Sequence, residues 1–357
     1  MAVTRTLRSG AWRVVELITT PLVPADYLDA VAPLRNATVL RARVVAVRRE
    51  TSNAITLVLR PGRGWQPHEP GQYVRLGVDV EGVRLWRSYS VTSSPGRRDG
   101  LITVTVNGVA GGAVSTQLLR RARKGMILHL DVPAGEFTLP PARPAKVLFV
   151  TAGSGITPVM GMLRSALHEL SDVVVVHSAR TEADVVFGSE LRELAATGRI
   201  RLIERHTRAD GRLKPAELAE LVPDLADRET WACGPNGMLD DLETHWAEEG
   251  LAARLHTERF RPTVIVSGDG GGTVTFARSR TVAESPGGVP LLETGEGAGV
   301  LMPSGCRMGI CFSCVLNLRE GAVRDLRDGQ ITTAEPGDTI PIQTCISAAA
   351  GPCTIDH

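Results

Sequence analysis

Pro303-Ser304-Gly305-Cys306-Arg307-Met308-Gly309-Ile310-Cys311-Phe312-Ser313-Cys314 is the stretch on which the reading of this chain turns. Three cysteines fall within nine residues, spaced C-x4-C-x2-C. A fourth, Cys345, follows after 30 residues in Ile340-Pro341-Ile342-Gln343-Thr344-Cys345. Four thiolates in that order suit a cluster of two irons and two sulfides. Small residues at Ser304, Gly305, Gly309 and Ser313 let backbone N–H groups approach sulfur, and such hydrogen bonds tune a cluster's potential. Tetrahedral zinc and buried structural cysteines are the competing readings. Zinc sites usually pair two C-x2-C knuckles, whereas one stands here. Cys353 lies outside the spacing and reads as a small core or surface thiol.

Over residues 273–357 the cysteine pattern resembles that of plant-type [2Fe-2S] ferredoxins, with a gap before the fourth cysteine one residue longer than the commonest family spacing. The resemblance implies an α+β β-grasp fold there, with Cys306, Cys311, Cys314 and Cys345 as ligands. This unit carries 6 arginines against 9 acidic residues. An acidic unit joined to a body of opposite charge suits electrostatic docking. Residues 262–272 (PTVIVSGDGGG) read as the linker, whose Gly-rich end spans on the order of 12 Å as a coil.

The chain has 357 residues, which allows two or three domains. Lys and Arg number 40 against 39 Asp and Glu, so bulk charge gives no reason to expect nucleic acid as a partner. No apolar run approaches the ~20 residues of a transmembrane segment, and the first residues lack the apolar core of a secretory signal. Six clustered cysteines point to metal in a reducing compartment, so a cytoplasmic location is expected.

Residues 1–38 form a poorly periodic leader. From 39 to 142 the text is β: RARVVAVRRE, AITLVLR, QYVRLGV, RSYSVTS and LITVTVN are short, rich in β-branched residues and divided by turn residues. Many short strands so spaced predict an antiparallel barrel or sandwich. From 143 to 261 apolar strands alternate with helical stretches. KVLFV, VVVVHSA, RIRLIERH and TWACG are the strands, which predicts an α/β unit with a parallel sheet.

Three motifs carry chemistry in these two units. Arg87-Ser88-Tyr89-Ser90 lies on a predicted strand, with Arg87 and Tyr89 on one face and Ser88 and Ser90 on the other. In a flavin site an arginine can pair a diphosphate, a flat aromatic can lie against the ring, and a hydroxyl can reach its N5. Gly111-Gly112-Ala113-Val114-Ser115 reads as a glycine turn opening a helix whose free N–H groups suit a phosphate. Thr151-Ala152-Gly153-Ser154-Gly155-Ile156-Thr157-Pro158 joins a strand to a helix and lets a nucleotide approach the backbone.

Together with Pro70-Gly71-Gln72-Tyr73-Val74 and Cys233-Gly234-Pro235, these motifs resemble the ferredoxin–NADP reductase family. The resemblance implies an FAD held by Arg87, Ser88, Tyr89, Ser90, Gly112, Val114 and Ser115. It implies NAD(P)H held by Gly153, Gly155, Thr157, Ser178, Arg180, Cys233, Gly234 and Pro235. Ser90, Cys233 and Glu258 then stand nearest the reacting atoms, Cys233 as a packing and positioning group rather than a nucleophile. Ser178 and Arg180, at the end of the second strand, favour NADPH over NADH, because an arginine accommodates a 2′-phosphate.

No E-x-x-H or H-E-x-x-H motif is present, so nothing beyond the thiolate cluster offers a substrate-oxidising metal. The electrons are therefore expected to leave for another molecule. The leader segment Thr20–Leu28 is similar to that of actinobacterial reductases feeding acyl-CoA desaturases and alkane hydroxylases. That likeness implies an oxygenase or desaturase partner in the membrane and a place at the membrane periphery through it. The rivals are an FMN-containing reductase serving a Rieske dioxygenase, and a redox-sensing electron carrier without turnover.

Overall fold

The computed structural model describes residues 32–35, 39–80, 82–260 and 270–357. The leader segment 20–28 and most of the linker 262–272 lie outside them. Three sheets follow one another along the chain.

The first contains β1 (Arg41–Thr51), β2 (Ala54–Pro61), β3 (Tyr73–Val80), β4 (Val83–Ser90), β5 (Ile102–Asn107) and β6 (Ile127–Leu130), in the order β4-β3-β6-β1-β2-β5. Its strand pairings are antiparallel, as the short alternating segments predict. The two ends meet where Val91, just past β4, bridges Val104 of β5, and the sheet curls into a barrel. Alternate residues fill its interior, among them Val44, Leu57, Leu59, Val74, Leu76 and Val104. Helix α1 (Ala113–Arg121) contributes Val114 and Leu118 to that core.

The second sheet is parallel, in the order β11-β10-β7-β8-β9. Its strands are β7 (Lys146–Ala152), β8 (Asp172–Ala179), β9 (Arg201–His206), β10 (Glu229–Gly234) and β11 (Leu255–Arg259). Both faces are covered, which is why β7 and β8 carry unbroken apolar runs, over 147–150 and 173–176, rather than alternating. Helices α2 (Ile156–Ala166) and α3 (Gly188–Ala196) pack on one face. On the other, beyond the short α4 (Thr207–Asp210), lie α5 (Pro215–Leu221) and α6 (Asn236–Glu248). The chain runs outward from β7 through β8 to β9, then returns to lay β10 and β11 on the opposite side. The reversal falls between β7 and β10, and ligands of open α/β sheets bind at such a point.

The third sheet is mixed. Strands β12 (Gly272–Phe276), β13 (Thr281–Ser285), β14 (Val315–Asp325), β15 (Ile331–Ala334) and β17 (Ser347–Ile355) run in the order β13-β12-β17-β14-β15, and β16 (Ile340–Gln343) pairs with β14. Only β12 and β17 pair in parallel. Helix α7 (Leu291–Gly297) lays Leu291 and Leu292 into a core with Phe276, Met302, Leu318 and Ile355. Cys353 is buried in that core.

Candidate functional site

The cluster loop runs from α7 to β14. Arg307 (φ 59°), Gly309 (φ 73°) and Phe312 (φ 55°) take left-handed conformations that curl it around its own sulfurs. The Cys306 N–H donates to Cys311 Sγ at 3.1 Å, and the Met308 N–H to Cys306 Sγ at 3.3 Å. A Cβ on Gly305 would stand 2.4 Å from Cys311 Sγ, so the glycine is required there. Cys345 comes from the distant segment after β16. Thr344 ties that segment down, its hydroxyl donating to the Cys314 carbonyl at 2.9 Å, which brings the Cys345 thiol beside that of Cys314. The sulfurs thus form two pairs, Cys306 with Cys311 and Cys314 with Cys345. Among the described residues no three His, Cys, Asp or Glu side chains converge on one ion. Four thiols gathered from the loop and the distant segment are the donor set that a two-iron cluster uses.

A cleft of about 770 Å³ opens where the three units meet. Tyr73 and Phe137 line it from the barrel, Glu258 from β11, and Met308 and Ile310 from the cluster loop. That volume falls in the range of cofactor sites. Ser90, at the end of β4, is buried, and Thr157 Oγ1 lies 3.2 Å from its hydroxyl and 2.8 Å from the Ser154 carbonyl. One hydrogen-bonded chain therefore joins the barrel motif to the nucleotide turn. Ser88 Oγ is shielded and has no partner among the described residues. Burial drives the Tyr89 hydroxyl well above its ordinary range.

The strand alternation read from Arg87 to Ser90 holds: Tyr89 and Arg87 stand opposite the core residues Val74 and Leu76. Yet the Arg87 guanidinium points to the third unit. It donates to Ser304 Oγ at 2.7 Å and pairs with Glu296 at 3.3 Å; Glu296 also pairs with Arg307. Burial, followed by the charge of Arg307, pulls Arg87 down to about 10. The backbone of β4 joins in, the Trp86 N–H donating to the Ser304 carbonyl at 3.0 Å, and Leu301 packs against the barrel core. These contacts seat the cluster unit on the flavin barrel. Spacing could not reveal them, because partners such as Arg87 and Ser304 lie 217 residues apart.

At α1, Gly112 is the N-cap. Ser115 Oγ accepts from the Val109 N–H at 3.2 Å and donates to the Gly112 carbonyl at 3.3 Å, closing the turn. The Val114 side chain is spent on the barrel core, so this position can offer a phosphate only its backbone.

In the nucleotide unit, the two glycine turns touch at the sheet's switch point. A Cβ on Gly155 would fall 1.9 Å from the Cys233 carbonyl oxygen. Gly153 (φ 55°) faces open space. A Cβ on Gly234 would meet Met238 at 2.5 Å, and Pro235 caps α6. The Cys233 side chain is wholly buried. Burial and then Glu258 push its thiol well up, which suits a spacer and not a nucleophile.

Glu258 pairs in register with Cys233 across β10 and β11, and one of its carboxylate oxygens is shielded with no partner among the described residues. Burial lifts its pKa to about 8. At the end of β8, Ser178 is buried with an unpartnered hydroxyl, and Arg180 is exposed, its carbonyl accepting from the Arg208 N–H at 3.1 Å. His177 is a buried site residue that sequence reasoning passed over. Its Nδ1 lies 2.8 Å from Thr151 Oγ1, and burial lowers it to about 4, so it stays neutral.

A sulfur cradle, an adjoining cleft and a doubly wound nucleotide sheet define an NAD(P)H-dependent iron–sulfur flavoprotein reductase. Three family models match in order: oxidoreductase FAD-binding domain over residues 66–139, oxidoreductase NAD-binding domain over 149–244, and 2Fe-2S iron-sulfur cluster binding domain over 274–350. The chain belongs to the ferredoxin–NADP reductase family, in the branch that carries a C-terminal plant-type [2Fe-2S] ferredoxin domain. It is 48% identical to an NADPH oxidoreductase of Mycobacterium tuberculosis, over 96% of this chain and 91% of the relative. It is 30% identical to a glycine betaine monooxygenase reductase subunit of Pseudomonas aeruginosa, over 81% and 87%. Phthalate dioxygenase reductase shares the fold, with a TM-score of 0.59 at 24% identity, over 89% of this chain and 97% of that one.

The unpartnered Ser88, Ser178 and Glu258 atoms and the glycine-lined sulfur loop fit FAD, NAD(P)H and a [2Fe-2S] cluster. When bound, the flavin takes electrons from the nicotinamide in pairs and the cluster carries them singly. Among the described residues no helix is long and apolar enough to cross a membrane.

Proposed function

We propose that the chain draws electrons from NADPH, passes them through FAD and the [2Fe-2S] cluster, and delivers them to a partner oxygenase. The favoured partner is a membrane di-iron acyl desaturase or alkane hydroxylase, met at the cytoplasmic face. The observation that carries the reading is the shared cleft. Glu258 of the nucleotide unit, Tyr73 of the barrel and Met308 and Ile310 of the cluster loop line one cavity, so no long transfer separates the three chemistries.

Behind its lining, Ser90, the strand partner of Tyr73, and Thr157 supply hydroxyls where barrel and nucleotide turn meet, and Cys233, the strand partner of Glu258, holds the nicotinamide floor at its level. Glu258 is largely protonated at neutral pH and can donate a hydrogen bond into the cleft. Gly112 and Ser115 take the flavin phosphates at the start of α1. Arg87 divides its guanidinium between cofactor and ferredoxin unit. The units divide at 39–142, 143–261 and 273–357.

Ser178 and Arg180 support NADPH, as does the name of the mycobacterial relative. Arg180→Ala should raise KM for NADPH about tenfold, the worth of a charge-assisted hydrogen bond, and leave NADH nearly untouched. Equal effects on both nucleotides reject that role. The membrane partner is supported by the resemblance of Thr20–Leu28. A soluble oxygenase is the second reading, favoured by the monooxygenase reductase relative. The test is NADPH consumption coupled to product. Membranes carrying a di-iron acyl-CoA desaturase with stearoyl-CoA are compared with a soluble Rieske oxygenase and its substrate. Desaturated product with matching NADPH loss supports the first reading; coupling only to the soluble enzyme overturns it.

A further inference from the structure

Arg75 belongs to the barrel strand β3, yet its guanidinium ends on the cluster loop, 238 residues further along the chain. Its Nη1 donates to Ser313 Oγ at 3.0 Å, two residues from Cys311, so its charge stands beside that thiol. Behind it, Nε donates to Asp131 Oδ2 at 2.8 Å, and Nη2 bonds to the same carboxylate. The Trp86 ring lies 5.8 Å away, measured to its centroid. The fork is therefore fixed, with its counter-charge at the rear and Nη1 turned to the cluster loop. Cys311 is the one ligand of the four that is not buried, so it is the sulfur a group from another unit can reach.

We propose that Arg75 is a positioning residue that stabilises the reduced cluster across the barrel–ferredoxin interface, by holding its positive charge on Ser313 beside Cys311. Reduction adds one electron to the cluster, supplied from NADPH through the flavin; no bond forms or breaks. The added charge spreads over the sulfurs, and donors to those sulfurs gain most from it. The inference rests on the cluster and not on the identity of the acceptor.

The test is the cluster's midpoint potential in the full holoprotein, read from the electron paramagnetic resonance signal during a redox titration. Iron and acid-labile sulfide are counted first, so that a lost cluster is told from a shifted one. Arg75→Gln should lower the reduced-to-oxidised ratio at a fixed poise about tenfold, equivalent to ~59 mV for one electron. Arg75→Lys, which keeps the charge but loses the fork, should recover part of that. Asp131→Asn removes the counter-charge and leaves the arginine, so it should shift the ratio the opposite way. A residue that merely holds the interface together would make Arg75→Gln and Asp131→Asn behave alike. Shifts in the same direction, or none for Arg75→Gln, overturn the proposal. If Arg75→Gln does not fold, the sign of the Asp131→Asn shift decides alone: an unchanged or lowered ratio overturns it.

Discussion

Replacing Gly155 by alanine tests whether the contact between the two glycine turns sets the nicotinamide position. The residue has φ −61° and ψ −13°, an ordinary helical conformation, so alanine meets no backbone strain. The obstacle is steric. A Cβ there would lie 1.9 Å from the Cys233 carbonyl oxygen and 2.4 Å from its carbon. Carbon contacts settle near 3.5 Å, so the turns at 153–158 and 233–235 must part by roughly 1–1.5 Å. Overpacking of this kind costs about 1–3 kcal/mol of stability. A displacement of about 1 Å between reacting groups can cost on the order of 10²-fold in rate.

Gly153 is the control. Its φ of 55° taxes alanine by about 1–2 kcal/mol, but among the described residues no atom lies within 4 Å of the new Cβ. Gly153→Ala should therefore disturb nucleotide approach and raise KM, while leaving the saturated rate within a few-fold. The assay is stopped-flow flavin bleaching under saturating NADPH, paired with urea unfolding. If Gly155→Ala keeps its saturated rate, or Gly153→Ala slows it equally, the turn-to-turn contact does not govern alignment.

Glu258 ionises near 4.5 when unfolded and near 8 in the fold, so its neutral buried form contributes stability below pH 4.5 that drains away as pH rises through 8, by at most ~5 kcal/mol. Glu258→Gln should flatten the urea midpoint across that window, and an unchanged slope would assign the pH dependence elsewhere. Gly305→Ala drives a methyl into the sulfur cradle, 2.4 Å from Cys311 Sγ, and should leave purified protein well short of two irons per chain while sheets and flavin persist. Full iron content in that variant would show that the loop closes differently around the cluster. His177→Asn keeps a polar partner for Thr151 and should change the pH profile of NADPH oxidation little, since a histidine titrating near 4 is already neutral in the working range; a displaced acid limb would refute that.

The residues themselves announced three units, and the reason is local. β-strand alternation, β/α alternation and cysteine spacing are each written within a few dozen residues, and each dictates its own sheet. The cluster domain was legible for the same cause: thiolates must surround a compact cluster, and a C-x4-C-x2-C loop has few other uses. The glycine turns were legible as places of close approach. What they approach was not: that Gly155 abuts Cys233 depends on β7 and β10 lying side by side, which strand order alone decides. The same holds for Arg87, whose strand face was readable from alternation but whose partners Ser304 and Glu296 come from another unit. Arg75 and Asp131 carry no motif at all. Their meaning lies in electrostatics across an interface, and charge acts through space without regard to chain order. Chemistry bound to a local motif was thus readable from the chain; the arrangement that joins three chemistries in one cleft belongs to the tertiary fold.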